Sequence, residues 1–345
     1  MDQELPEAAC ANPCSGLPRR WLVTGAAGFI GSHLTEALLR GGHEVVGLDD
    51  FSTGNRDNLE LVRGAVGAEA WARFRLVEGD LRAAAACREA CAGVAVVLHH
   101  AALSSVPLSM AIPGPVLAAN VGGTIELLEA ARVAGVDRLV FASSSSVYGD
   151  ENSVPAQEDR IGRPLSPYGA SKRIGELLAS TYQQCFGLET VSLRYFNVLG
   201  PRQDPQGAYS AVIPRWTSQL LRGETPEIYG DGETTRDFCP VEDVVQANLL
   251  AAGAPAESCG RVFNVALGRS TTLRQLFAMI RDTLADLGVV CREVEPRFGP
   301  FRLGDVRHSR ADVSRAVKLL GFSPSQDIRP CLQRTLAALL AKGAP

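Results

Sequence analysis

A chain of 345 residues is long for a single domain and has room for two lobes. With 46% hydrophobic and 21% charged residues it reads as a soluble globular protein, and no apolar run is long enough to span a bilayer. A net charge of −4 without any Lys/Arg block excludes general attraction to nucleic acid, so an anionic ligand requires a local site.

Residues 1–20 carry Asp2, Glu4 and Glu7 with neither a basic start nor an apolar stretch, which predicts a loosely ordered tail rather than a signal peptide. The nine cysteines are odd in number. Neither Cys10/Cys14 nor Cys87/Cys91 has zinc spacing with a matching second pair, so no metal site is expected. Scattered thiols in a chain this large fit a reducing cytoplasm.

From residue 21 short apolar runs alternate with helical patterns. Strands are expected at "WLVTG", "EVVGLD", "RFRLVEGD", "VAVVLHHAA", "RLVFASSS" and "TVSLRYFNV", and helices near 29–40, 83–92, 115–134 and 168–186. Strands without clean alternation, separated by helices, predict a parallel sheet covered on both faces: a doubly wound α/β (Rossmann) domain. After residue 197, "GPRQDPQGAYSAVIPRW" and "YGDGETTRDF" are too rich in Gly, Pro and polar residues for regular elements. Helical patterns follow near 212–222, 241–253, 272–287 and 311–320. The expected division is a tail at 1–20, a dinucleotide-binding domain at 21–197, and a second, smaller substrate-binding lobe occupying most of 198–345.

"VTGAAGFIGSHL" sets Gly25, Gly28 and Gly31 between a strand and a helix. Glycines allow a tight turn and close approach of a pyrophosphate, whose charge the free N–H groups of the helix start can bind. Gly-rich turns are common, but "VVGLDD" closes the next strand on Asp49, where a carboxylate can hold an adenosine ribose. An acid there favours NAD over NADP, because a 2′-phosphate would face like charge. Asp80 ends the third strand within reach of the adenine edge. His99 and His100 end the fourth; adjacent strand residues point to opposite faces, which argues against a shared metal. His100 is expected to line the cofactor groove and His99 to be structural.

"SPYGASK" places Tyr168 and Lys172 four apart behind Pro167, which suits a first helical turn. They therefore share one helix face. Alone, such a pair is usually a packed ring and a solvated ammonium. Here "ASSSSVYG" ends the fifth strand at its carboxyl edge, where ligands bind in such sheets. A hydroxyl of Ser144 or Ser145, the Tyr168 phenol and the Lys172 ammonium can thus converge over a nicotinamide as a proton-transfer device. A tyrosine titrating near ~10 needs a downward shift of about three units to act as a base, or roughly 4 kcal/mol. Lys172 and a positive nicotinamide are expected to supply it together.

"TGAAGFIG", "SSSSVYG" and "YGASK" resemble the extended short-chain dehydrogenase/reductase superfamily, from about residue 20 to the end. "AALSSVPLS", "LRYFNVLGPRQDPQGAYSAVIPRWT", "GDGETTRDF" and "GDVRHS" are similar to the UDP-N-acetylglucosamine 4-epimerases of bacterial polysaccharide pathways. The resemblance implies a tightly held NAD, proton abstraction from the sugar 4-hydroxyl by Tyr168, and a 4-keto sugar that turns over before hydride returns. It assigns Lys172 to the nicotinamide ribose and Ser144, with Ser145 as substitute, to the reacting hydroxyl. It also assigns Gly25, Gly28, Phe29, Ile30, Gly31, Asp49, Asp50, Ser52, Gly54, Asp80, Leu81, His100, Ala101 and Val198 to the cofactor, with Tyr168 and Lys172. Ser105, Asn197, Ala211, Val212, Trp216, Tyr229, Arg236, Arg302, Asp305 and Ser309 fall where relatives hold the nucleotide sugar. Guanidinium suits diphosphate, which agrees for Arg236 and Arg302. Relatives commonly form homodimers through the helices matching 115–134 and 168–186.

Four positions depart from the pattern: Asp50 for a usual Asn, Ser104 for a frequent Gly, Tyr229 for a frequent Asn, and Ser270 for a common Arg, with Arg269 adjacent. Dehydratase and decarboxylase relatives carry acids just before the tyrosine equivalent to Tyr148, where this chain has Ser145 and Ser146. A complete Ser/Tyr/Lys set also argues against a nucleotide-binding sensor without turnover. Other readings retained are a UDP-glucose/UDP-galactose or a UDP-uronic acid 4-epimerase.

Overall fold

The computed structural model describes residues 19–204, 212–301 and 306–341. Six strands form at the expected runs: β1 (Arg20–Thr24), β2 (Glu44–Asp49), β3 (Phe74–Glu78), β4 (Val96–His99), β5 (Arg138–Ser144) and β6 (Glu189–Tyr195). Beyond them lie β7 (Asn197–Leu199), β8 (Glu227–Tyr229), β9 (Thr235–Arg236), β10 (Phe238–Pro240), β11 (Val262–Val265), β12 (Thr271–Thr272) and β13 (Arg297–Gly299). The main sheet is seven-stranded, in the order β11-β6-β5-β4-β1-β2-β3, with every pair parallel. This is the doubly wound α/β sheet expected.

Helices cover both of its faces: α1 (Phe29–Arg40), α2 (Arg56–Trp71), α3 (Ala84–Cys91), α4 (Val106–Ala111), α5 (Pro113–Leu117), α6 (Gly123–Ala134) and α7 (Pro167–Phe186). Along β1, Trp21 and Val23 pack with Leu34 and Leu38 on one side, while Leu22 joins Leu127, Leu128 and Phe141 on the other. Both faces are dry, so the strands read as continuous apolar runs. The remaining helices are α8 (Val212–Leu221), α9 (Val241–Ala252), α10 (Leu273–Asp286), α11 (Ser314–Leu320) and α12 (Arg329–Ala341). A separate cluster of Leu199, Trp216, Ile228, Phe238, Leu276, Phe277, Leu332 and Leu336 forms the core of the second lobe.

Several features differ from the sequence expectation. The chain beyond residue 197 returns to the sheet: β11 supplies its edge strand, and α9 packs on α1, β5 and β6. Residue 197 therefore does not separate sheet from lobe. A four-residue strand such as β11 carries too little pattern to reveal which sheet it joins. α2 was not expected because Gly64 and Gly67 interrupt its stripe; Gly67 kinks it at φ 79°. α12 was not expected either. The helix expected over 115–134 is broken by a π-helical turn at Ala118–Gly122. The run expected as one strand over 190–198 splits at Phe196, after which β7 leaves the sheet to pair with β10.

α7 lies against β5 at Gly175, where an added Cβ would sit 2.2 Å from the Phe141 ring. Alanine gains about 1 kcal/mol of helix propensity, while overpacking a dry core costs about 1–3 kcal/mol. Gly175→Ala is thus expected to lower stability by about 1 kcal/mol, read as a lower urea midpoint at unchanged m; an unchanged or higher midpoint contradicts this packing.

Candidate active site

A cleft of about 1230 Å³ opens along the carboxyl edge of the sheet. At one end Gly25 adopts φ +71°, and a side chain there would meet the backbone N of Ala101 at 2.9 Å. A Cβ on Gly31 would lie 1.9 Å from the Gly25 carbonyl oxygen, so the turn packs onto α1 with no room for any side chain. The first turn of α1 thereby presents its free N–H groups to the cleft, the arrangement that binds a diphosphate.

Asp49 closes β2 and is buried. Its Oδ2 accepts from Ala27 N at 2.8 Å and its Oδ1 from Phe51 N at 2.9 Å. Burial raises the carboxyl above its ordinary range, and these backbone bonds oppose the rise. Asp50 accepts from the backbone and hydroxyl of Ser52. Asp80 accepts two 3.0 Å bonds from Arg82 Nε, and this pairing holds its carboxyl low. Gly25, Gly28, Phe29, Ile30, Gly31, Asp49, Asp50, Ser52, Gly54, Asp80, Leu81, His100, Ala101, Tyr168 and Lys172 all line this one cleft. Val198 does not; it packs against the core, with its carbonyl held by Gln203. The glycine cradle and the buried ribose-height carboxylate together fit a dinucleotide.

His99 is structural: Thr24 and Thr124 hydroxyls engage its two ring nitrogens at 2.8 and 2.9 Å. His100 borders the cleft, stacked on Tyr195 with ring centroids 5.8 Å apart and its Nε2 bonded to Asn248. Burial lowers its pKa to about 4, so the ring is neutral.

At the chemical end Ser166 caps α7 by accepting from Gly169 N at 3.0 Å, which starts the helix one residue before Tyr168. Tyr168 lies beside Ser144, the last residue of β5, whose hydroxyl acts on the phenol. Lys172 donates from Nζ to the Ala142 carbonyl at 2.8 Å and lies 6.0 Å from the Tyr168 ring. Burial drives the Tyr168 phenol up, and the group opposing it is the Ser144 hydroxyl, not Lys172, so the downward shift expected of a base falls to the nicotinamide. Lys172 is itself lowered by burial, to about 8. Its ammonium is committed to the strand, not to the phenol.

The family model described as "NAD dependent epimerase/dehydratase family" matches residues 21–266. The chain belongs to that family. NAD is its cofactor. A UDP-glucose 4-epimerase of Mycolicibacterium smegmatis is 41% identical over 92% of this chain and 97% of its own. A UDP-N-acetylglucosamine 4-epimerase from Methanobrevibacter ruminantium M1, solved with UDP-N-acetylmuramic acid, is 35% identical at TM-score 0.85, covering 94% of this chain and 99% of that one. A UDP-glucuronic acid 4-epimerase mutant from Bacillus cereus, in complex with UDP-4-deoxy-4-fluoro-glucuronic acid and NAD, is 30% identical at TM-score 0.83, with 94% and 99% coverage.

The remaining candidates of this epimerase/dehydratase chain are spread more widely. Ser145 sits in the turn after β5, and Ser105 caps α4 by accepting from Leu108 N. Asn197 opens β7, Val212 opens α8, and Tyr229 ends β8 with the Arg215 guanidinium 5.9 Å from its ring. Arg236 donates to the Val306 carbonyl at 2.7 Å, and Ser309 N to Thr235 O at 3.3 Å, so the 306–309 segment lies along β9. Trp216 is corrected: it is buried in the lobe core, edge-on to Phe277, with its indole N–H given to Glu227 O. Ala211, Arg302 and Asp305 lie outside the described residues.

Sequence reasoning missed Asn120, whose amide clamps both backbone groups of Leu103 and donates to Ser171 Oγ at 3.0 Å. It also missed Tyr195, Arg202 and Gln203 on the cleft wall. "RYFNVLGPRQ" carried them as strand and loop, with no spacing that marks a cleft. Among the described residues no group of three or more His, Cys, Asp or Glu is placed to hold a metal, and no helix is long and apolar enough to cross a membrane.

Because Lys172 titrates near 8, its charge is complete below that pH and lost above it. Turnover is expected to fall on the alkaline side with a midpoint of about 8, measured as kcat against pH. A profile still level a full unit above would show that the ammonium does not titrate there.

Proposed function

We propose that this enzyme is a UDP-sugar 4-epimerase that interconverts UDP-N-acetylglucosamine and UDP-N-acetylgalactosamine. The observation that carries the epimerase reading is a buried tyrosine, Tyr168, beside Ser144 in a dinucleotide cleft, one helical turn from a buried lysine fixed to the Ala142 carbonyl. NAD, when bound, supplies hydride acceptance and return together with a positive charge beside the phenol. Tyr168 Oη takes the proton of the 4-hydroxyl and gives it back, while Ser144 orients that hydroxyl. Lys172, bonded to the Ala142 carbonyl, keeps a cation 6.0 Å from the Tyr168 ring, placed for the nicotinamide ribose. Residues 198–345 hold most of the nucleotide sugar, with Arg236 directed to its diphosphate.

The named relatives act on three different sugars, so the choice of sugar rests on this chain. Ser309 stands at the position that flanks the hexose 2-substituent in the family it resembles. A small side chain there leaves room for an acetamido group that a phenol ring would fill. The Mycolicibacterium relative favours a second reading, UDP-glucose and UDP-galactose. The apolar side chains exposed on α4, α6 and α7 (Met110, Val133, Leu177 and Phe186) support a homodimer through that face.

Tyr168→Phe is expected to reduce epimerisation by about 100-fold or more while NAD stays bound. Sugar-proton NMR on UDP-N-acetylglucosamine measures the first, and NAD released on denaturation measures the second; a Phe variant of near-normal rate removes the proposed base. Ser309→Tyr should depress turnover of the acetylated pair far more than of UDP-galactose, by about 10–100-fold. Equal use of UDP-galactose and UDP-N-acetylgalactosamine by the wild type would contradict the assignment of Ser309.

A further inference from the structure

One carboxylate near the site has no part in the proton transfer described above. Glu176 lies on α7 one turn beyond Lys172 and two turns beyond Tyr168, on the same face. Its side chain and that of Arg194 on β6 are each only 1% exposed. Both oxygens are fully engaged: Oε1 accepts from Ser143 Oγ at 2.6 Å and Arg194 Nε at 2.7 Å, and Oε2 from Arg194 Nη2 at 2.8 Å and Arg173 Nη1 at 2.9 Å. Arg194 is the register partner of Ser143 across β5 and β6. It also donates to Glu158 O at 2.9 Å and stacks 4.8 Å from the Tyr148 ring, at the turn that follows Ser144. A dry ion pair is weak evidence for stability, since apolar residues of similar volume often serve as well. Its geometric specificity is the property that needs a reason.

We infer that Glu176 and Arg194 are positioning residues for the catalytic pair, locking the register of α7 against the end of β5. Two successive strand residues bond two successive turns of the helix, Ala142 O taking Lys172 Nζ and Ser143 Oγ donating to Glu176, while Ser144 lies beside Tyr168. Tyr168 gains and loses a proton during turnover, and Lys172 reaches the strand through a backbone carbonyl alone. The Ser143–Glu176 contact takes no part in that transfer, and it is tied to a third element through Arg194. A helix free to slide or tilt by about 1 Å would separate Tyr168 Oη from Ser144 and from the reacting hydroxyl. The proposal rests on the epimerase reading for its kinetic consequence but not for its geometry.

The test uses the NAD-loaded full chain. The double variant Glu176→Leu/Arg194→Met removes both charges together, leaving neither unpaired. Ser143→Ala removes only the strand's bond to the carboxylate, and Ser143→Thr keeps the hydroxyl. Per NAD-loaded folded molecule, the double variant is expected to lose about 10–100-fold in kcat with KM changed by no more than about twofold. Ser143→Ala should show a smaller loss of the same kind that Ser143→Thr largely restores. Crystal structures of the NAD-loaded variants should show Tyr168 Oη displaced by about 1 Å relative to Ser144 Oγ when compared with the NAD-loaded wild type. Wild-type kcat per loaded molecule overturns the proposal, as does a Tyr168–Ser144 separation unchanged from the wild type. If the double variant does not fold, the Ser143 pair decides by the same readings. If the wild type epimerises no UDP-sugar, the proposed function fails by itself, and the crystallographic distance still decides this inference.

Discussion

The contact between α7 and the carboxyl end of β5 sets the geometry of the proposed catalytic residues. A strand advances about 3.3 Å per residue and a helix about 5.4 Å per turn, so bonds from adjacent strand residues to adjacent turns fix the helix against the strand. Ala142 O holds Lys172 and Ser143 Oγ donates to Glu176 in this way, while Ser144 lies beside Tyr168. Close approach also needs Gly175, which lies against the Phe141 ring without room for a methyl group. The same ring sits 5.1 Å from Lys172 Nζ, so packing and charge are set by one surface.

Burial is the second constraint, and it acts on each group in the direction that disfavours charge. It raises Asp49 and Tyr168 and lowers Lys172 and His100. The cleft is therefore a poor place for an isolated ion and a strong one for an ion that finds its partner, because interactions gain strength where water is excluded. Backbone N–H groups answer Asp49, and a carbonyl answers Lys172. For Tyr168 the opposing group is the neutral Ser144 hydroxyl, so a positive ligand charge beside the phenol would favour its ionised form.

The two halves of the chain are interlocked, not joined in series. α9 and β11 return to the sheet after the chain has already entered the second lobe, and Asn248 of α9 bonds both His100 and Tyr195 on the cleft wall. The loop after β7 is held to α1 by His33 Nε2 at the Pro201 carbonyl, 3.0 Å away, and by the Arg202–Glu36 ion pair. A lobe tied in this manner shares its fate with the sheet, which suits a cofactor enclosed between them.

The amino-acid sequence by itself determined the local elements and the types of chemistry. Dry parallel strands, the glycine turn before α1, Asp49 at a strand end and the Tyr168/Lys172 spacing are all short-range patterns. Period, capping and backbone sterics impose them within a few residues. Tertiary structure alone decided what those residues meet. Glu176 looks like any polar position on a surface helix until Arg194, 18 residues on, arrives from the neighbouring strand. Trp216 resembles a ligand contact until α10 closes over it, and β11 belongs to no sheet until β6 accepts its four residues. The upward pull of burial on Tyr168 was equally hidden, because desolvation depends on everything that surrounds a group and not on which charged residue stands one turn away.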